Sequence, residues 1–140
     1  MPLSVLRTAT LQDVDPVLEF WVSAAENDSW PADSRGALAA LIGRDSSALT
    51  LASETGWIVG TVIAGRDGWR CHLYRLAVAP EHRGRGVARM LIEAAETRFA
   101  ALGGSRADAM VLDANMGAHA TWTAFGYASQ PEWSRWVKPL

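Results

Sequence analysis

The chain has 140 residues, enough for one domain with a buried core and too few for two ordinary ones. Hydrophobic residues make up 49% and charged residues 20%, which excludes a disordered chain, and a net charge of −2 leaves no basic surplus to favour a nucleic-acid partner. The one cysteine, Cys71, excludes an internal disulfide; the N-terminal stretch lacks an apolar signal core and no apolar run approaches the roughly 20 residues that span a bilayer, so the expected compartment is the cytoplasm.

Residues 3–8 are short and apolar enough for a first strand. Thr10-Leu-Gln-Asp13 then reads as a helix start, an acidic residue three after a hydroxyl, while Pro16 makes Asp13 the alternative cap. Val14, Val17, Leu18, Trp21 and Val22 follow at helical spacing and predict one buried stripe. Residues 26–31 interrupt any helix, and Asp33 or Ser34 can cap a second one carrying Leu38, Leu41 and Ile42.

Residues 48–53 and 57–65 predict two strands across a Glu54-Thr55-Gly56 turn, and Asp67-Gly68 turns the chain into a third strand over 69–78, ended by Pro80. Three consecutive antiparallel strands are the economical arrangement. In the last, strict alternation places His72, Tyr74, Leu76 and Val78 on one face and Cys71 on the other.

A long helix follows, with Val87, Leu91, Ala95, Phe99 and Leu102 at helical spacing and Gly103-Gly104 closing it. Residues 107–112 predict a further strand, parallel to its neighbour through the helical crossover. After Asp113-Ala114-Asn115 a short helix carries Ala118, Thr121, Trp122 and Phe125 and stops at Gly126, and residues 133–137 predict a last strand. No repeat or linker divides the chain, so one domain over 1–140 is expected. Seven tryptophans are many for this length, and Trp21, Trp30 and Trp69 are candidates for a pocket lining or the interface of a homodimer.

The strongest signal is Arg83-Gly84-Arg85-Gly86-Val87-Ala88, between the strand and the long helix. Glycines permit close backbone approach, the first N–H groups of a helix have no partner within it, and two arginines add positive charge, so the loop suits an anion. It is neither a P-loop nor G-x-G-x-x-G. Arg83-x-x-Gly86-x-Ala88 does match Arg/Gln-x-x-Gly-x-Gly/Ala, and with the preceding Leu76-Ala-Val-Ala-Pro80 it closely resembles the acyl-CoA-binding motif of the GNAT superfamily of N-acetyltransferases. Residues 115–127 also look like that family's last block.

The resemblance implies an α/β (α+β mixed) fold, a mostly antiparallel mixed sheet flanked by helices on both faces, the long helix beginning near Gly84. It implies that the amides of Arg85, Gly86, Val87 and Ala88 cradle the CoA pyrophosphate, with Gly84 turning the chain and Arg83 opening the motif. It further implies a bulge in the fourth strand, where the main chain of Leu76, Ala77 and Val78 pairs with the pantetheine arm and the N–H of Leu76 or Val78 polarises the thioester carbonyl. The region between the first two helices borders the acceptor site in this family, so Glu26 and Asp28 beside Trp30 are candidates to attract an ammonium, against their reading as solvated charges over a packed indole.

Acetyl transfer to an amine needs a neutral nucleophile, and an alkylammonium of pKa about 10.4 is neutral in roughly one molecule in 2,500 at pH 7, a penalty of about 4.6 kcal/mol. His72, whose ordinary pKa lies near operating pH, is the candidate base, directly or through water, and Tyr74 could order that water. Some members of this family that acetylate arylalkylamines carry histidine at the corresponding place. The pattern departs at Trp122, where many relatives have a tyrosine acid. Asn115 either touches CoA or caps the last helix; His119 either lines the thiol end or faces solvent; Tyr127 is read as core.

The expected activity is therefore transfer of acetyl from acetyl-CoA to an amine, a small primary amine favoured, by direct attack in a ternary complex without a metal. The alternatives are an acyl-CoA-binding regulatory module without turnover and a peptide or protein N-acetyltransferase.

Overall fold

The computed structural model describes residues 3–24 and 33–140 and divides the chain into two compact units, Met1–Met110 and Val111–Leu140. In the first unit a five-stranded sheet runs in chain order: β1 (Val5–Thr8), β2 (Leu49–Glu54), β3 (Trp57–Arg66), β4 (Cys71–Val78) and β5 (Ala107–Ala109). The first four strands are antiparallel and β5 lies parallel to β4. Three helices accompany them: α1 (Val14–Ser23), α2 (Arg35–Arg44) and α3 (Val87–Ala101).

Neighbouring residues of β3 show how the layers stack. A Cβ placed on Gly60 would meet Val87 and Leu91 of α3, whereas the next residue, Thr61, takes a hydrogen bond from Trp21 of α1. Successive strand residues point to opposite faces, so α1 and α3 cover opposite sides of the sheet. Beneath α1 and α2 lie Val14, Val17, Phe20, Trp21, Leu38, Ile42, Leu51 and Ile63; α3 buries Val87, Leu91, Ile92, Ala95 and Phe99.

Local chemistry fixes the element ends. Asp13 accepts from the Thr10 N–H at 2.8 Å and its hydroxyl at 3.2 Å, completing a turn that leads into α1 with Pro16 in its first turn. The Arg7 guanidinium, bonded to both Asp13 oxygens at 2.8 Å, holds that carboxyl down to about 2. Ser34 caps α2 by accepting from the Ala37 N–H at 3.0 Å. The β2–β3 hairpin turns on Thr55 and Gly56, both at positive φ as a two-residue type I′ turn requires.

Several expectations need correction. Val22 is 77% exposed and Phe20 takes its place in the α1 stripe, because the core follows the face centred on Val17 and Trp21. Leu102 lies beyond α3 and is largely exposed, as the chain has already turned toward Gly103 at φ 83°. Strand β5 stops at Ala109, three residues short of the expected end.

The second unit, described by itself, contains α4 (Met116–Ala124), ended by Gly126 at φ 90°. Its tail forms no strand at 133–137, and Trp136 is 93% exposed. The seven residues between Pro131 and Pro139, two residues that cannot donate to a ladder, pair with no strand among the described residues.

Candidate active site

The register of β4 against β3 contains one irregularity. Tyr74 faces Ile63 and Ala77 faces Thr61, so two residues, Arg75 and Leu76, stand opposite the single Val62. This is a β-bulge, and Arg75 adopts φ 51° within it. Simple alternation therefore fails across the strand. His72, Tyr74 and Ala77 lie opposite Gly65, Ile63 and Thr61 and share the α1 face, while Val78 lies opposite Gly60 on the α3 face. The expectation that His72 and Val78 share a face is thus corrected: one inserted residue reverses every side chain beyond it.

A left-handed arginine costs on the order of 1–3 kcal/mol and persists only when its surroundings fix it. Here the guanidinium lies 5.0 Å from the Trp21 ring centroid and pairs with Asp33. Its carbonyl accepts from the Thr61 hydroxyl at 2.8 Å, and that oxygen accepts from the Trp21 indole N–H at 2.9 Å. Trp21 is accordingly a buried brace, which corrects its expected place in a pocket lining or interface.

Beyond β4 the Ala79 N–H returns to Val59 O at 2.8 Å, one turn of 3-10 helix spans Pro80–His82, and the chain enters Gly84 at φ 76° and Gly86 at φ 83°. Both φ values belong to the region that favours glycine. The first bond of α3 runs from the Met90 N–H to Gly86 O at 3.1 Å, so the helix begins at Val87 rather than near Gly84. The amides of Val87, Ala88 and Arg89 precede that first closed turn and face out of the positive end of a 15-residue helix. A Cβ on Gly84 or Gly86 would meet nothing within 4 Å, so the loop is open to an anion on that side.

Arg83 works behind this loop. Its guanidinium donates to Val78 O and to Ala24 O, each at 3.2 Å, tying the cradle to β4 and to the carbonyl end of α1. Arg85 is exposed on the loop itself.

His72 is partly buried between two carboxylates. Its Nδ1 is 2.7 Å from Asp108 Oδ1 and its Nε2 is 3.6 Å from Asp67 Oδ2. An ionised carboxylate only accepts, so Nδ1 carries the proton in the neutral ring and Nε2 keeps its lone pair. Asp67 is itself pinned: the Arg70 and Trp69 N–H groups hold its carboxyl below the usual range. The carboxylates address opposite ring nitrogens, and among the described residues no three such ligands converge on a metal position. The Tyr74 ring stands 5.9 Å from that of His72. Cys71 is buried on the opposite face from His72.

Glu26, Asp28 and Trp30 lie outside the described residues. Trp69 is exposed at the hairpin before β4, with the Arg70 guanidinium 4.6 Å from its ring centroid. In the second unit Asn115 caps α4, accepting from the Ala118 N–H at 3.0 Å, and Trp122 meets Tyr127 edge to face at 4.9 Å. Tyr127 and Trp122 are only partly buried, and His119 is tethered to Leu112 O at 3.1 Å.

Asp67, Asp108 and Thr61 escaped the sequence reading. Thr61 left a trace, as the only polar side chain in the run from Trp57 to Ala64. Asp108 left none, because its meeting with His72 depends on the parallel register of β4 and β5.

Residues 14–127 match the Acetyltransferase (GNAT) family, and the chain belongs to it. Solved structures share the fold at low identity. The PaiA N-acetyltransferase of Thermoplasma acidophilum, in complex with coenzyme A, superposes with a TM-score of 0.81 at 15% identity over 91% of each chain. The aminoglycoside N-acetyltransferase AAC(6')-Iy, in complex with CoA, gives 0.78 at 18% identity over 100% of this chain and 97% of its own. The ribosomal-protein-S18-alanine N-acetyltransferase of Escherichia coli gives 0.73 at 18% over 89% and 77%. The protein is thus an acyl-CoA-dependent acetyltransferase with acetyl-CoA as donor.

Proposed function

We propose that this single acetyltransferase domain acetylates a small primary amine by direct attack on acetyl-CoA, with His72 as the base. The observation that carries the reading is the placement of the His72 ring 5.9 Å from that of Tyr74, on the same strand as the bulge and short of the anion-binding loop. Five residues of β3 separate the partners of His72 and Val78, about 17 Å of strand at 3.4 Å per residue. In this reading an extended pantetheine arm runs along Leu76, Ala77 and Val78 toward His72, its pyrophosphate held by the amides of Arg85, Gly86, Val87 and Ala88.

In this scheme the acceptor ammonium gives its proton to His72 Nε2 through a water that Tyr74 orders. The freed amine attacks the thioester carbonyl, the C–S bond breaks as the nitrogen releases its second proton to water, and the CoA thiolate takes a proton from solvent, which a thiol pKa near 8.5 permits without an acid at Trp122. Asp108 and Asp67 then each face one N–H of the imidazolium. Their negative charge also favours a cationic acceptor over a neutral one, with Glu26, Asp28 and Trp30 as further acceptor contacts. Asn115 is left to α4 capping or to CoA. The likeness to an aminoglycoside acetyltransferase along its whole length supports the small-amine choice.

Calorimetry with acetyl-CoA, followed by a screen of primary amines, tests the scheme. Micromolar one-to-one binding lost in Gly86→Asp, together with His72→Ala that keeps the affinity and loses about a hundredfold or more in turnover, is expected. Unchanged turnover in His72→Ala removes the base. Acetylation of peptides with small amines untouched replaces the acceptor class.

A further inference from the structure

Thr61 is fully buried in the middle of an apolar strand, where an unsatisfied hydroxyl would be costly. Both of its hydrogen-bonding capacities are used. The oxygen accepts from the indole N–H of Trp21, which fixes the hydroxyl rotor, and the proton then goes to the carbonyl of Arg75. That carbonyl belongs to the bulge, at the point where β4 departs from regular pairing with β3.

Among the described residues every peptide bond is trans. In a trans peptide the C=O and the following N–H point in opposite directions. Thr61 draws the Arg75 carbonyl toward β3, so the Leu76 N–H is directed away from β3. On that side β5 pairs with β4 only at residues 71–73, leaving the Leu76 edge of β4 beyond the ladder.

We infer that Thr61, locked by Trp21, is a positioning residue for acetyl transfer: it sets the peptide plane that aims the Leu76 N–H at the thioester carbonyl. The inference rests on the acetyl-transfer reading above and deepens it. It also supplies a side chain through which a main-chain donor can be perturbed. Thr61→Val keeps the shape and removes the hydroxyl, freeing the Arg75–Leu76 peptide to rotate. Thr61→Ser restores the oxygen.

The test uses the full chain and acetyl-CoA labelled with carbon-13 at the acetyl carbonyl, read by difference infrared spectroscopy. In the wild type, the bound carbonyl stretch falls below its frequency in solution, as hydrogen bonding requires. In Thr61→Val it returns toward the solution value while acetyl-CoA affinity stays within about twofold, and Thr61→Ser recovers the shift. With an acceptor found, kcat falls about ten- to a hundredfold at unchanged KM for acetyl-CoA, short of the 10²–10³ typical of losing such a donor outright. Should Thr61→Val not fold, Trp21→Phe removes the indole donor and is read in the same way, with a smaller return.

A shift of equal size in wild type and Thr61→Val overturns the inference and leaves acetyl transfer intact. A wild-type carbonyl that binds unshifted overturns Leu76 as the donor. Failure of the wild type to bind acetyl-CoA removes the acetyl-transfer reading itself, and the inference with it.

Discussion

Substituting alanine at Gly60 probes how the sheet sets the position of the anion-binding loop. The new Cβ would sit 2.8 Å from Val87 Cγ1, 2.9 Å from Leu91 Cδ1 and 3.3 Å from Ala77 O, against ordinary carbon contacts of about 3.5–4.0 Å. Neither side chain can swing clear: Val87 is β-branched on a helix, with one strongly preferred rotamer, and both are buried. Overpacking of this kind costs about 1–3 kcal/mol, and replacing glycine by alanine recovers about 0.4–1 kcal/mol through the unfolded chain. The net loss is about 1–2 kcal/mol, a fall in Tm of roughly 3–8 °C for a chain of this size.

Thermal unfolding followed by circular dichroism gives the value, and Val87→Ala supplies the control. Removing Cγ1 relieves the contact, so the double variant is less destabilised than the sum of the singles, by about 0.5 kcal/mol or more. Because Val87 opens α3, displacement of its turn also weakens acetyl-CoA binding, read by calorimetry. A Gly60→Ala protein as stable as the wild type, or strict additivity with Val87→Ala, refutes the reasoning.

Two further outcomes follow from the ion pairs. Asp13, held at about 2 when folded against 3.8 ordinarily, contributes stability that is fully present above pH 4 and is lost as the pH falls through 2; at 1.36 kcal/mol per unit this is about 2 kcal/mol. Asp13→Asn should lower stability by about 1–2 kcal/mol at pH 7 and flatten the acid limb between pH 4 and 2, and an unchanged limb in urea titrations contradicts the pairing with Arg7. Arg98 reaches from α3 to both oxygens of Asp45, at 2.8 and 2.6 Å, and to Ala64 O. Arg98→Met removes these bonds and leaves Asp45 Oδ1 only the Ser47 N–H at 3.3 Å, so the urea midpoint should fall by an amount worth about 1–3 kcal/mol at constant m value, and no change means the bridge is idle.

The elements of this fold were legible where one residue decides them. Ser34, Thr55-Gly56, Asp67-Gly68 and Gly126 each impose a cap or a turn by their own chemistry, and the helical spacing of Val87, Leu91, Ala95 and Phe99 fixed the buried face of α3. What escaped depends on relations between distant segments. The bulge, expected only from the family resemblance, is held at Arg75 by Thr61 and Trp21, 14 and 54 residues away, so alternation along β4 alone put Val78 on the wrong face. The His72–Asp108 contact likewise needs a parallel register between residues 36 apart in the chain, which no local pattern carries. The strand expected at 133–137 failed for the converse reason, since a segment without a partner strand forms no ladder.

The tight contact at Gly104 has a practical outcome at the bench. A Cβ there would come within 2.5 Å of Cys71 Sγ, so only glycine leaves room for the thiol, and Cys71, the one cysteine of the chain, is buried beneath it. Ellman-type reagents that colour free sulfhydryls therefore meet a silent protein background. Turnover can be followed continuously by the CoA set free, with the absorbance recording product from the first second of mixing.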